Sequence, residues 1–405
     1  MTQRVPLDSE IRPELPASHY LDNRIYTDPD IYSQEQKEIF GKQWKFVCHE
    51  SELANVRDFR TVTVAGRELI IVKGEDGEIR AFYNSCPHRG AKILREHAGN
   101  LPRDRMTCFY HMWSFNTRGE CLVVSRPDGY AARGVTRENV NLREVRIEIL
   151  HGLIFICLSD DTVSLEEFLG PELLKSIETP WSADLEVFHF NRQVIKANWK
   201  LFVETNCEGY HELLHPFNRS TGLAVKEYKD RQWHILQHGH CYFDEAQIGY
   251  DRYGNEEKLE RQDDLLPGMA PSGHVVVDIF PDVMLNCRAT VGRIDCLVPL
   301  GPNETLLEFR GLGLKGDTPA LRERRIRHHN QVWGPMGVNL SEDLWAVEVQ
   351  MENFLSGASR YSVIAREEDG PMSDAPLRGF YSHWRHLVQS NSHDIDSPYN
   401  AESVA

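Results

Sequence analysis

Two short cysteine–histidine pairs, Cys86-Pro87-His88 and Cys108-Phe109-Tyr110-His111, constrain this chain more than any other feature. Two thiols and two imidazoles on separate loops need a frame that holds both loops at one place. The flanking sequence supplies one. Asp58 to Val72 is rich in Val, Thr and Ile, with a turn at Ala65-Gly66, which is a strand signature. Glu75-Asp76-Gly77 reads as a hairpin turn leading to Ile79–Tyr83 and the first loop. Thr117 to Glu120 marks a turn after the second loop, and Arg146 to Leu158 reads as a returning strand. Residues 45–157 are therefore expected to form a small antiparallel β domain with the loops at hairpin tips. Nineteen residues separate His88 from Cys108, and Arg95 to Arg105 is expected to be a long loop.

The donor set, Cys86 and Cys108 with His88 and His111, is that of a Rieske [2Fe-2S] cluster, in which two histidines replace two cysteines on one iron. The exchange removes negative charge and raises the reduction potential, so such a centre moves single electrons. Structural zinc also takes two cysteines and two histidines. Zinc pairs usually join like residues, whereas both pairs here are mixed. The Cys-Pro-His-Arg-Gly loop and the Tyr-His-x-Trp sequence from Tyr110 to Trp113 also resemble Rieske proteins.

The chain has 405 residues, enough for two domains. A formal net charge of −16 argues against nucleic acid as a partner. The absence of an apolar run of 18 residues or more argues against a membrane span. Met1 to Tyr20 lacks the apolar core of a secretory signal. Nine cysteines occur without a disulfide-scaffold spacing, and the seven outside the two pairs read as buried and reduced. A cytoplasmic location is expected.

A helix is expected over Ile31–Trp44, and the first domain follows it. Ser159-Asp160-Asp161 breaks the strand pattern. Beyond it the sequence predicts a helix over Leu165–Ile177, a strand over Leu185–Ile195 and a helix over Trp199–His215. Alternating segments follow at His274–Ile279, Val283–Val291 and Leu306–Gly313, then helices over Pro319–Trp333, Ser341–Ser356 and Leu377–Val388. The basic run Arg322 to Arg327 reads as a solvated helix face, and the polar tail from Ser390 as frayed. The expected units are 1–44, 45–157, 158–389 and 390–405.

His211 and His215 stand four residues apart, so on a helix they share one face. Two ordinary helix histidines would look the same. The string His211-Glu212-Leu213-Leu214-His215 also satisfies the zinc-protease pattern, with Glu212 as base. A protease, however, has no use for an electron-transfer centre. Two histidines and one carboxylate form the facial triad of non-heme Fe(II) oxygenases, whose O2 chemistry does use single electrons. Asp343, near the start of an expected helix, is the candidate carboxylate, with Glu342 adjoining it.

With these motifs in family order, and with Asn198-Trp199-Lys200 and the Gly334-Pro-x-Gly337 segment between them, the chain resembles the large (α) subunit of a Rieske non-heme iron oxygenase from about Ile31 to Val388. The resemblance implies an α+β fold: an N-terminal antiparallel β Rieske domain, and a C-terminal α+β helix-grip catalytic domain with an antiparallel sheet. It implies that Cys86 and Cys108 bind one cluster iron, His88 and His111 the other, and His211, His215 and Asp343 the mononuclear Fe(II). It assigns Glu208 the role of an acid bridging the cluster of one subunit and the iron of the next, where most members have Asp. Glu204 stands where many relatives have Asn. The three residues between His211 and His215, where many aromatic dioxygenases have four, resemble branches acting on sulfonates or substituted benzoates.

The implied activity is that of a terminal oxygenase component. Electrons come from NAD(P)H through a reductase and possibly a ferredoxin, with O2 and a small aromatic, carboxylated substrate. Monooxygenation or demethylation of a sulfonate or quaternary amine is the alternative, and a Rieske carrier or zinc protein without oxygenase activity is the alternative of another class. A head-to-tail homotrimer, with or without small β subunits, is implied as well. Phe202, Leu213 and Phe217 could line a pocket, and Arg219, Arg288 and Arg293 could hold a carboxylate or sulfonate.

Overall fold

The computed structural model describes residues 20–208, 211, 214–215, 230–248, 264–334, 337, 339–365 and 373–389. Two seven-stranded antiparallel sheets organise them. The first contains β1 (Lys45–His49), β2 (Asp58–Val64), β3 (Arg67–Lys73), β4 (Ile79–Tyr83), β5 (Ala98–Asn100), β6 (Glu144–Leu150) and β7 (Leu153–Cys157), in the spatial order β1-β7-β6-β4-β3-β2-β5. The β2–β3 turn places Ala65 and Gly66 at φ 48° and 68°. Positive φ at both central residues matches the right-handed twist of the flanking strands. Residues alternate between faces in β3: Ile70 and Val72 pack toward the cysteine loops, and Leu69 and Ile71 toward the opposite core.

Three expectations change here. The segment Arg146–Leu158 is a hairpin rather than one strand, turning at His151 and Gly152, both at positive φ. The stretch Arg95–Arg105 contains β5, which pairs with β2. The first cysteine loop is therefore no hairpin tip but the crossover from β4 to β5. The second is a hairpin tip, between Met106–Thr107 and Ser114–Phe115.

The second sheet contains β8 (Leu185–Ile195), β9 (Trp233–Ile235), β10 (Cys241–Gln247), β11 (Gly273–Ile279), β12 (Val283–Arg288), β13 (Val291–Gly301) and β14 (Glu304–Leu314), ordered β8-β14-β13-β12-β11-β10-β9. The expected segment Val283–Val291 is thus two strands. The longer helices are α1 (Pro29–Glu38), α2 (Leu165–Ser176), α3 (Trp199–Cys207), α4 (Pro319–Trp333), α5 (Leu340–Leu355) and α6 (Ala375–Gln389). One sheet face packs through Met284, Leu297, Leu307 and Phe309 on α3, α5 and α6. The other packs through Leu285, Cys287, Ile294 and Cys296 on α2 and on Trp44, Phe46 and Phe155 of the first sheet. Buried ion pairs join the two sheets: Lys45 with Asp282 at 2.7 Å, and Arg310 with Glu52 at 2.7 Å.

Helix α1 ends at Glu38, before the expected Trp44. Helix α4 begins where Thr318 accepts a hydrogen bond from Leu321 N and Pro319 fills the first helical position. Its basic run is not a uniformly solvated face: Arg325 is buried against Asp317, while Arg327 stays exposed. Helix α3 is capped by Asn198 and stops at Cys207, and Glu208 leaves the helical region at φ −103°, ψ 69°. The expected helix to His215 is therefore cut short. Among the described residues no helix is long and apolar enough to cross a membrane.

Candidate metal centres

Backbone hydrogen bonds shape both cysteine loops. Gly90 N donates to Cys86 O at 2.8 Å, and Cys86 N to Ala91 O at 2.9 Å. Asn84 fastens the loop's exit, its Oδ1 accepting from Ile93 N and Leu94 N and its Nδ2 donating to Leu94 O. In the second loop Cys108 N donates to Trp113 O and Met112 N to Cys108 O, with Met112 at φ 62°. Gly119 closes the following turn at φ 81°, where a Cβ would lie 2.4 Å from the Phe82 ring.

These loops bury Cys86 and Cys108 and leave His88 and His111 half-buried. The imidazoles lie 4.5 Å apart, with His88 stacked on Trp113 and its Nε2 3.0 Å from the Tyr130 hydroxyl. Burial, with Cys108 beside it, pushes the Cys86 thiol up to about 11. A thiolate there needs a compensating cation, which a metal centre provides. Two thiols and two imidazoles, in mixed pairs on two adjoining loops, are the donor set of a two-iron Rieske cluster.

The second centre gathers donors that are distant in sequence. Past the end of α3, His211 and His215 bring their rings to 5.5 Å. His211 Nδ1 donates to the Glu208 carbonyl at 2.6 Å, and His215 Nδ1 to Glu342 Oε2 at 2.6 Å. Both Nε2 atoms then turn to one oxygen, Asp343 Oδ1, at 3.3 and 3.5 Å. That oxygen is buried and has no hydrogen-bond partner. The three groups converge within 4.8 Å, a donor set that fits an iron(II) ion with its second nitrogens anchored outside. Glu342 and Asp343 occupy the first turn of α5, where the helix dipole favours negative charge. Of the adjoining pair, Asp343 faces the shared point and Glu342 orients a ring. The histidines converge although both lie beyond the end of α3.

Glu208 is half-buried, and burial, with Asp374 adding, pushes its carboxyl up to about 7. Four residues earlier, burial and then the charge of Glu208 push Glu204 up to about 8. Its Oε1 accepts from the Tyr26 hydroxyl at 2.7 Å and from the Tyr381 hydroxyl. Beneath it, Lys200 and Glu35 pair at 2.5 Å with neither side chain exposed, and the Trp199 and Trp384 indole N–H groups complete the Glu35 carboxylate. Sequence reasoning missed Glu35, Tyr26 and Tyr381. Only the polar Glu204 and Lys200 within an apolar helix hinted at them.

Phe202 is core, packed edge-on against Phe309. Arg293 is committed to Asp295. Glu212, Leu213, Phe217, Arg219, Pro335, Met336, residues 1–19 and the tail 390–405 lie outside the described residues.

An electron-transfer donor set and an open two-histidine, one-carboxylate set in one chain define the class of Rieske non-heme iron oxygenases. Comparison with known proteins agrees. The model for the Rieske [2Fe-2S] domain matches residues 43–133, and that for the ring hydroxylating alpha subunit (catalytic domain) matches residues 176–390. The chain is 40% identical over 389 residues to the 2-aminobenzenesulfonate 2,3-dioxygenase subunit alpha of Alcaligenes sp., spanning 95% of this chain and 98% of the relative. It is 38% identical to the methanesulfonate monooxygenase hydroxylase subunit alpha of Methylosulfonomonas methylovora, spanning 97% of each. Its fold matches the crystal structure of naphthalene 1,2-dioxygenase from Rhodococcus sp. bound to indole, with TM-score 0.78, 22% identity and coverage of 92% and 95%. The chain belongs to the family of ring-hydroxylating oxygenase alpha subunits. It is a terminal oxygenase that uses a Rieske cluster and a mononuclear iron. Alpha subunits of this family work with a reductase and ferredoxin and assemble into oligomers.

Proposed function

We propose that this oxygenase acts on a small organic sulfonate, aromatic in the leading reading, with aryl carboxylates next. The observation that carries this is the near full-length similarity, at 40% and 38% identity, to two subunits named for sulfonate oxygenation. The spacing of His211 and His215 resembles that of branches acting on sulfonates or substituted benzoates, and the names of these two relatives move the preference from carboxylate to sulfonate.

In this reading Cys86 and Cys108 hold one cluster iron and His88 and His111 the other, while His211, His215 and Asp343 hold the mononuclear iron. When bound, the cluster supplies electrons singly and the iron supplies O2 activation. The chain's own residues do the rest. The Glu208 carbonyl and Glu342 hold both Nδ1 protons and so aim both Nε2 atoms inward. The Glu208 carboxyl, neutral or ionised near pH 7, bridges to the cluster histidine of a neighbouring subunit. Exposed Phe109, Tyr110 and Met112 beside His88 and His111 offer the apolar rim of such a contact. A head-to-tail trimer, with or without β subunits, closes that contact into a ring. We read the units as 1–44, 45–157, 158–389 and 390–405, and the location as cytoplasmic, with electrons from NAD(P)H.

The test is coupled O2 uptake with a generic reductase and ferredoxin on sulfonates, benzoates and quaternary amines. Stoichiometric uptake with an arylsulfonate or alkylsulfonate is expected. Uptake with quaternary amines alone would overturn the reading.

A further inference from the structure

The sheet face above the mononuclear centre is not uniformly apolar. On β12, Leu285 and Cys287 pack on the α2 side, whereas Met284 packs with α3, α5 and α6. Alternation therefore turns Asn286 and Arg288 to the side from which α3 and α5 bring the iron donors. On β13 the same rule turns Arg293 and Asp295 that way, and Asp343 is close enough for its charge to help raise the Asp295 carboxyl. Arg293 is neutralised by Asp295 within this layer.

Arg288 stands apart from that pair. It is 6% exposed, and its Nε and Nη1 are buried without a hydrogen-bond partner. It forms no ion pair among the described residues. Its guanidinium lies over the indole of Trp333, 5.4 Å from the ring centroid, and Arg293 lies over the same indole at 5.3 Å. Across the ladder from Arg288 stands His274, bonded through Nε2 to Asn286 at 3.0 Å, so no carboxylate faces Arg288 from there. Burial, followed by the charge of Arg288, keeps the His274 imidazole neutral. A buried arginine without an anion is costly, and a guanidinium fork seated over an aromatic ring presents its donors to a planar or tetrahedral oxyanion.

We propose that Arg288 is the anchor for the anionic head group of the substrate: a buried guanidinium on β12, on the iron-donor side of the sheet, lying over Trp333 and lacking a counter-ion among the described residues. This rests on the reading that the substrate is a sulfonate or carboxylate. It goes beyond that reading by assigning the group that selects the charge. Trp333, the last residue of α4, acts as the positioning residue beneath the fork.

The experiment uses the assembled, iron-loaded oxygenase and two probes of similar shape, 2-aminobenzenesulfonate and the uncharged 2-aminobenzenesulfonamide. Titration calorimetry compares wild type, Arg288→Met and Arg288→Lys. The sulfonate is expected to bind Arg288→Met about 30-fold or more weakly than wild type, with Arg288→Lys in between and the sulfonamide changed less than about threefold. Ligand-free thermal unfolding gives a second readout. Removing an unpartnered buried charge should leave Tm unchanged or raised, whereas a purely structural arginine would lower it. Equal sulfonate affinity in wild type and Arg288→Met, with wild type binding the probe, would overturn this assignment alone. Failure of wild type to bind 2-aminobenzenesulfonate, and 2-aminobenzoate titrated in the same way, would overturn the anionic reading and the anchor with it. A lowered Tm with equal loss of both probes would make Arg288 structural.

Discussion

The two metal centres are built in opposite ways. In the cluster region each Cys/His pair sits on one loop, and that loop's own backbone bonds set its shape. At the mononuclear centre the histidines and the carboxylate come from different elements, with His215 and Glu342 separated by 127 positions in the chain. Their meeting depends on how α3 and α5 pack on the second sheet. A centre of the first kind tolerates strain elsewhere. One of the second kind reports on the whole catalytic core.

The contrast is broken most directly at Asp343. Asp343→Ala removes the oxygen that both Nε2 atoms face. Turnover should fall by at least about 1,000-fold, in line with the loss of a metal's contribution to the reaction barrier. Iron analysis should show loss of the mononuclear iron alone, with the cluster's visible absorption and EPR signal intact. Loss of the cluster in this variant would show that the centres are not independent.

Glu208 is the one residue that the proposed trimer makes common to both regions. Glu208→Gln keeps the backbone carbonyl that holds His211 and removes only the carboxylate. Both centres should stay loaded. Electron transfer from reduced cluster to iron should slow by about 100-fold or more, a loss of about 3 kcal/mol in barrier terms. Stopped-flow reoxidation of the reduced cluster is the measurement, and a wild-type rate would exclude the bridge.

How far the sequence reached follows the same contrast. The cluster pairs are local, so spacing alone disclosed them, and α4 was legible because Thr318 and Pro319 mark its start. The end of α3 carried a local signal, Gly209 directly after the capping residue Glu208, that the spacing of His211 and His215 outweighed. There the Glu208 carbonyl accepts from the His211 imidazole, a local contact three residues along the chain in place of a helical bond. Nothing local pairs Glu35 with Lys200, 165 positions away, or Glu204 with Tyr381. The crossover before β5 was hidden because three residues make too short a strand to show alternation.

A smaller effect should come from the buried pair that seats α3. Lys200→Met leaves the Glu35 carboxylate buried with only two indole donors. Breaking such a pair on one side costs about 3–5 kcal/mol, while Lys200→Met with Glu35→Leu should recover much of it. The cluster spectrum should persist to higher denaturant than retention of mononuclear iron. Coincident loss of both would mean that the two regions unfold as one.

The finest test is the pH dependence set by Glu204. Burial and then the charge of Glu208 hold its folded value at about 8, against an ordinary 4.5. The folded state therefore binds the extra proton, and the resulting stabilisation is fully present below pH 4.5 and is lost as pH rises through 8. Glu204→Gln keeps an oxygen for the hydroxyls of Tyr26 and Tyr381 but has no proton to lose. Wild-type Tm should fall between about pH 6 and 8 more steeply than that of Glu204→Gln. The variant's cluster absorption should follow the wild type, since this carboxyl belongs to the α3 core and touches neither cysteine loop. Parallel Tm curves would show that Glu204 is already ionised at neutral pH, with the two tyrosines serving an anion instead of an acid.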